Sequence, residues 1–287
     1  MSELLKVENL HVTFHTYAGE VKAVRGVSFS LDKGEVLAIV GESGCGKTVT
    51  SKAIMRLLDR TSGEIDKESV IELFGKNMVT LPKRELNKIR GKEISMIFQD
   101  SMTSLNPTMT IGKQIMENIL VHEKVGKREA KKRALELLKL VEIPNAEERL
   151  NNYPHQMSGG MRQRAMIAVA LACNPKVLIA DEPTTALDVT IQAQLMDLLK
   201  NIQKKTEMAV ILVTHDLGVV ANFADRVQVM YAGAVMERGS VHDIFKAPRH
   251  PYTCALLSSM PGRIQESKSE LYALRGTPPD LRRPIKG

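Results

Sequence analysis

The run Val36-Leu37-Ala38-Ile39-Val40 is apolar without a break, and Gly41-Glu42-Ser43-Gly44-Cys45-Gly46-Lys47-Thr48 follows it at once. Such a short apolar run predicts a strand buried on both faces, as in parallel sheets. The octapeptide obeys G-x-x-x-x-G-K-[ST], whose glycines let successive backbone N–H groups turn inward around phosphate oxygens. A helical pattern comes next, with Val49, Ala53, Ile54, Leu57 and Leu58 on one face, and its start adds the positive end of a helix dipole. Strand, tight turn and helix commit the chain to an α/β fold with an anion cradle at the end of a buried strand. In such a loop Lys47 is expected to reach the β- and γ-phosphates of ATP, and the Thr48 hydroxyl to hold Mg²⁺.

Two more buried strands are predicted at Val177 to Ala180 and Ala209 to Val213, each carrying polar residues at its C-terminal end, where open parallel sheets place ligands. At the first of these ends stand Asp181 and Glu182. Asp181 is suited to hold Mg²⁺, directly or through water, and Glu182 to accept a proton from an attacking water. The second leads into Thr214-His215-Asp216, where the histidine is either a γ-phosphate contact or a structural residue. Met96-Ile97-Phe98 reads as a strand leading to Gln99, whose amide can bridge metal and water.

A second anion site is suggested by Met157-Ser158-Gly159-Gly160-Met161-Arg162-Gln163-Arg164, in which Ser158 reads as the N-cap of an apolar helix containing Ile167, Val169 and Leu171. One chain then holds two half-sites for phosphate, which two such domains would complete for each other if they pair across a two-fold interface. Around this core, the segments Leu5 to Val12 and Val21 to Leu31 alternate loosely and predict half-exposed antiparallel strands. Lys127 to Val141 keeps Ala130, Ala134, Leu137, Leu138 and Val141 on one stripe of a charged helix. After about Lys246 the prolines multiply, at Pro248, Pro251, Pro261, Pro278, Pro279 and Pro284, so the core is expected to end there and an appended segment to begin.

Composition excludes several classes. The longest apolar runs, such as Ala165 to Cys173, fall far short of the ~20 residues that cross a bilayer. Met1-Ser2-Glu3-Leu4-Leu5-Lys6 lacks the basic and apolar regions of a secretory signal, so a cytoplasmic protein is expected. Tryptophan is absent and aromatics are 4% of 287 residues, which leaves no stacking platform for single-stranded nucleic acid. The charge of +7 is spread among acidic residues, and no nucleic-acid partner is expected. Cys45, Cys173 and Cys254 form no C-x-x-C pair and are expected as reduced thiols.

In this order the motifs resemble the nucleotide-binding subunits of ABC transporters, over residues 4 to 284. That resemblance implies a P-loop NTPase (RecA-like) core with a mostly parallel sheet, an N-terminal antiparallel β subdomain and an inserted α-helical signature subdomain at about 100–172. The ATPase domain would span 1–245 and a C-terminal extension 246–287. By the same resemblance Gly41 to Thr48 is the Walker A loop and Gln99 the Q-loop. Ser158 to Gln163 is the signature, Ile179 to Glu182 the end of Walker B, Ala186-Leu187-Asp188 the D-loop and His215 the switch histidine. Tyr17, or else Phe14, is the aromatic for adenine stacking. Met157 and Met161 replace the usual signature leucine and glutamine.

Three stretches resemble the oligopeptide and dipeptide importers within that family: Phe98 to Pro107, Arg249-His250-Pro251-Tyr252-Thr253, and Gly276 to Leu281. Membership implies a peripheral subunit on the cytoplasmic face of the membrane. Its partners would be a second ATPase subunit, two transmembrane permease subunits and, indirectly, an external peptide-binding protein. Relatives carry a cysteine cluster for an iron–sulfur centre beyond the position of Lys286. With Cys254 the cysteine near it, no cluster is expected. Import of nickel or another small solute, and a non-transport ABC ATPase, are the alternatives.

Overall fold

The computed structural model of the protein describes residues 3–58, 62–100, 104–185, 187–259 and 279–283. Expectations resting on Ser101 to Thr103, Ala186, Pro261, Gly276 to Pro278, Pro284 and Lys286 lie outside them. Two compact units divide the chain: Met1–Leu81 with Ile211–Gly287, and Pro82–Val210 between them.

The first unit opens with a long antiparallel pair, β1 (Glu3–Thr16) and β2 (Gly19–Asp32). Leu5 and Val7 are buried, then Leu10 and Val12, so the inward phase slips by one residue. Asn9 absorbs the slip in a left-handed conformation (φ 48°) within a β-bulge, which keeps both apolar pairs on the core face. The buried strand β3 (Val36–Val40) and the helix Lys47–Ile54 follow. Then come β4 (Gly63–Ile65), β5 (Val70–Leu73) and β6 (Lys76–Asn77), which complete a five-stranded sheet ordered β2-β1-β5-β6 with β4 also on β1.

The second unit holds the helix Lys83–Ile89 and β7 (Ile94–Ile97), which pairs in parallel with β8 (Val177–Asp181). Between these strands run the helices Ile111–His122, Lys127–Leu140, Ala146–Arg149 and Gly159–Ala170. The stripe Ala130, Ala134, Leu137 and Leu138 is buried, as its spacing predicts, and the charges are exposed apart from the half-buried Arg133. The helix Val189–Thr206 leads to β9 (Ala209–Thr214), inside which the division between the units falls.

Back in the first unit, the helix Leu217–Phe223 precedes β10 (Arg226–Tyr231) and β11 (Ala234–Ser240), so that β11, β10, β3 and β9 lie in that order. β10 runs parallel to β3, and β11 closes the edge antiparallel. Among the described residues no helix is long and apolar enough to cross a membrane.

Three expectations shift. The helix after the glycine loop stops at Ile54, because Arg56 turns left-handed (φ 49°) and its guanidinium bonds the carbonyls of Met78 and Leu81 at 3.1 and 2.6 Å. Leu57 is consequently exposed rather than on the helix's buried face. β7 ends at Ile97, leaving Phe98 outside the strand. The core also continues past Lys246: the helix Pro251–Ser258 sends Tyr252 and Leu257 into the cluster formed by Ala38, Val40, Val220, Val227 and Val229. Proline at the first turn of that helix costs no hydrogen bond, so the proline-rich composition there marks a helix start.

Candidate functional site

In the first unit β3 delivers the chain into the glycine loop. Gly41 has φ 151°, and a Cβ on it would stand 2.2 Å from the Met230 carbonyl oxygen of β10; on Gly46, at φ 102°, it would stand 2.5 Å from the Ala23 oxygen. Glycine at both positions is thus required by close backbone approach as well as by backbone conformation. Gly44 is different, with open space around it and a positive φ of 81°. The turn between β10 and β11 braces the loop from below, Gly233 N–H donating to the Cys45 carbonyl at 3.0 Å.

Lys47 is 4% exposed and folds over its own loop, its Nζ donating to the carbonyls of Gly41 at 2.7 Å and Glu42 at 2.9 Å. Cys45 lies beneath, and burial pushes its thiol up, against the pull of the Lys47 ammonium. Glu42, Ser43 and Gly44 are exposed, and Thr48 is half-buried in the first helical turn.

The same unit carries His215 and the two N-terminal aromatics. Thr214 Oγ1 accepts from Asp216 N–H at 3.0 Å, and Asp216 caps the next helix through Gly218 N–H at 2.8 Å and Val219 N–H at 3.2 Å. This tight exit from β9 leaves His215 exposed. Tyr17 sits fully exposed on the β1–β2 turn, while Phe14 is half-buried in β1.

In the second unit, Asp181 ends β8 at 1% exposure and Glu182 follows with φ 46°, a strained conformation for a residue with a side chain. Glu182 Oε2 accepts from Gln99 Nε2 at 2.9 Å and from Thr185 Oγ1 at 2.9 Å. Gln99 and Glu182, expected separately from sequence, are therefore brought together. Two donors on one carboxylate oxygen fix the direction in which the group faces.

The signature stretch is built beside it. Ser158 Oγ accepts from Met161 N–H at 3.3 Å, capping the helix Gly159–Ala170 as predicted. Asp188 Oδ1 caps the helix Val189–Thr206 through Ile191 N–H at 2.9 Å, and a Cβ on Gly160 would come within 3.1 Å of Ile191 Cγ2. Gly160 thus lets the starts of two helices approach. Gln163, expected among the nucleotide contacts, is 2% exposed and its amide donates to the Pro183 carbonyl, between Glu182 and Asp188 in the chain.

Sequence reasoning missed Thr185, whose signal is its place three residues after Glu182 in a turn closed by Thr185 N–H to the Glu182 carbonyl at 3.2 Å. It also gave no role to Tyr252. The oxygen donors of Asp181 and Thr48 have the hard-ligand character that Mg²⁺ takes. Among the described residues no cluster of three or more His, Cys, Asp or Glu could hold a metal. A carboxylate and a hydroxyl are each among the oxygen donors that Mg²⁺ takes, so each residue by itself suits that ion.

Residues 24–185 match the family described as ABC transporter, and residues 236–287 match the oligopeptide/dipeptide transporter C-terminal region. The chain is 60% identical over 287 residues to the oligopeptide transport ATP-binding protein OppD of Bacillus subtilis (strain 168), covering 100% of this chain and 80% of that protein. It is 58% identical over 286 residues to the dipeptide transport ATP-binding protein DppD of Lactococcus lactis subsp. cremoris (strain MG1363), covering 99% and 81%. Among solved structures, the dimeric post-hydrolysis state of the ATP-binding cassette MJ0796 bound to ADP and Pi is similar, with a TM-score of 0.74 and 30% identity over 83% of this chain and 99% of that one.

Proposed function

The chain belongs to the ABC transporter family, and from that membership we propose that it is the ATP-hydrolysing subunit of an importer for oligopeptides or dipeptides. The observation that carries the solute class is the 60% identity to an oligopeptide transport ATP-binding protein, joined to the match of residues 236–287 to the peptide-transporter C-terminal region. In this reading residues 1–245 form the ATPase domain, with the helical insertion at about 100–172, and 246–287 an importer-specific extension.

Gly41 to Thr48 cradles the phosphates of ATP, and Lys47 leaves the carbonyls of Gly41 and Glu42 to bind them. Tyr17 stacks on adenine. Glu182, directed by Gln99 and Thr185, accepts the proton of the attacking water, and His215 contacts the γ-phosphate. Thr48 and Asp181, with Gln99 nearby in role, would hold Mg²⁺, which when bound neutralises charge on the phosphates. Ser158, Gly159 and Gly160 close over the nucleotide of a second ATPase subunit, with Asp188 beside them. Gln163 acts through Pro183 instead of touching the ligand. Losing the γ-phosphate removes contacts made only in the closed pair, which turns hydrolysis into a switch for the two permease subunits at the inner membrane face.

Vesicles reconstituted with this chain, the second ATPase, the permease pair and the external binding protein test the assignment. Labelled peptide should accumulate only with ATP. Accumulation of nickel and not of peptide would overturn it.

A further inference from the structure

The helix Pro251–Ser258 is anchored at its start. Glu237 of β11 accepts from the backbone N–H groups of Arg249 at 2.8 Å and His250 at 3.0 Å, and His250 Nδ1 accepts from Tyr252 N–H at 3.1 Å. Held this way, the Tyr252 ring lies at 7% exposure in the core cluster with Ala38 and Val40 of β3, its centroid 4.7 Å from that of Tyr231. Phenylalanine would fill the same space. What tyrosine adds is the hydroxyl, which accepts from the backbone N–H of Glu42 at 3.3 Å, inside the glycine loop. Burial pushes the phenol up to about 12, so the group stays a neutral hydroxyl.

We propose that Tyr252 is a positioning residue for the phosphate loop, through which the C-terminal region of the chain sets the loop's readiness for ATP. The proposal rests on Gly41 to Thr48 being the ATP cradle. Three glycines at positive φ, Gly41, Gly44 and Gly46, give this backbone unusual freedom, which binding must restrict. Lys47 restrains it now, through the Gly41 and Glu42 carbonyls, and gives up both bonds on turning to a phosphate. Tyr252 does not compete for phosphate, so its hold on the Glu42 peptide persists through that exchange. The tether joins the region matched by the peptide-transporter C-terminal family, residues 236–287, to the loop in the region matched by the ABC family, residues 24–185.

The test uses the full chain with Tyr252→Phe and Lys47→Ala in parallel, reading ATP affinity by calorimetry, the Glu42 amide by hydrogen exchange and the fold by thermal melting. Tyr252→Phe should weaken ATP binding by about 2- to 10-fold, the worth of one hydrogen bond, and speed exchange at Glu42 while melting stays cooperative. Unchanged affinity and unchanged exchange in that variant, with ATP binding lost in Lys47→Ala, would overturn the tether and leave the cradle standing. Wild-type ATP binding in Lys47→Ala would remove the cradle and the tether with it. Without any variant, the Glu42 amide of the unmodified chain should exchange more slowly than that of Ser43; exchange as fast as Ser43 contradicts the tether.

Discussion

Gln99 Nε2 donates to Glu182 Oε2 at 2.9 Å, and Thr185 Oγ1 shares the same oxygen at the same distance. These two donors on one oxygen fix the direction of the carboxylate proposed to take the proton.

Thr185→Val removes one of these donors at nearly constant volume. ATP turnover of the assembled pair should fall about 3- to 10-fold, as expected for one hydrogen bond, and Thr185→Ser should restore it. Equal turnover in the Val and Ser variants would show that the hydroxyl does not direct Glu182.

The loop glycines separate two kinds of constraint. Gly41→Ala puts a methyl 2.2 Å from the Met230 oxygen, against backbone that cannot yield, and should abolish ATP binding. Gly44→Ala meets no neighbour and carries only the strain of its positive φ, about 1–2 kcal/mol. Urea melts and nucleotide titrations of the two variants should differ accordingly.

Gln163 is legible in sequence as part of a signature but not in its contact. Gln163→Leu removes the buried amide that donates to the Pro183 carbonyl and should cost about 1–3 kcal/mol of unfolding free energy, measured by urea denaturation. A neutral effect would mean that the buried amide contributes nothing to joining the signature helix to the turn after Glu182.

The boundary between what could and could not be read is physical. Val36–Val40, Val177 to Ala180 and Ala209 to Val213 were readable because strands buried on both faces have no polar phase to confuse. Ser158 was readable as a cap because that bond is local. The early stop of the first helix was not, since Arg56 depends on the carbonyls of Met78 and Leu81. Tyr252 lies 210 residues from its partner Glu42, and no periodicity encodes such a pair.

Acid should loosen the link between the end of the helix Ile111–His122 and the helix Lys127–Leu140. Hydrogen bonding to the Arg133 guanidinium holds the Glu123 carboxyl below the usual range, opposed by partial burial. Its contribution to stability is complete above the unfolded pKa, near ~4.3, and is lost as pH falls through the lower folded value. The Tm gap between wild type and Glu123→Gln should therefore narrow between pH 6 and pH 3, a trend that differential scanning calorimetry at constant ionic strength can follow. A constant gap would contradict the assignment.

The most direct measurement compares ATP turnover and ATP binding in the assembled ATPase pair carrying Glu182→Gln with those of the unmodified pair. Removing the proton acceptor should lower turnover by roughly 10²–10⁴-fold with ATP affinity retained. Turnover equal to that of the unmodified pair would contradict Glu182 as the base, and with it the chemistry proposed for this chain.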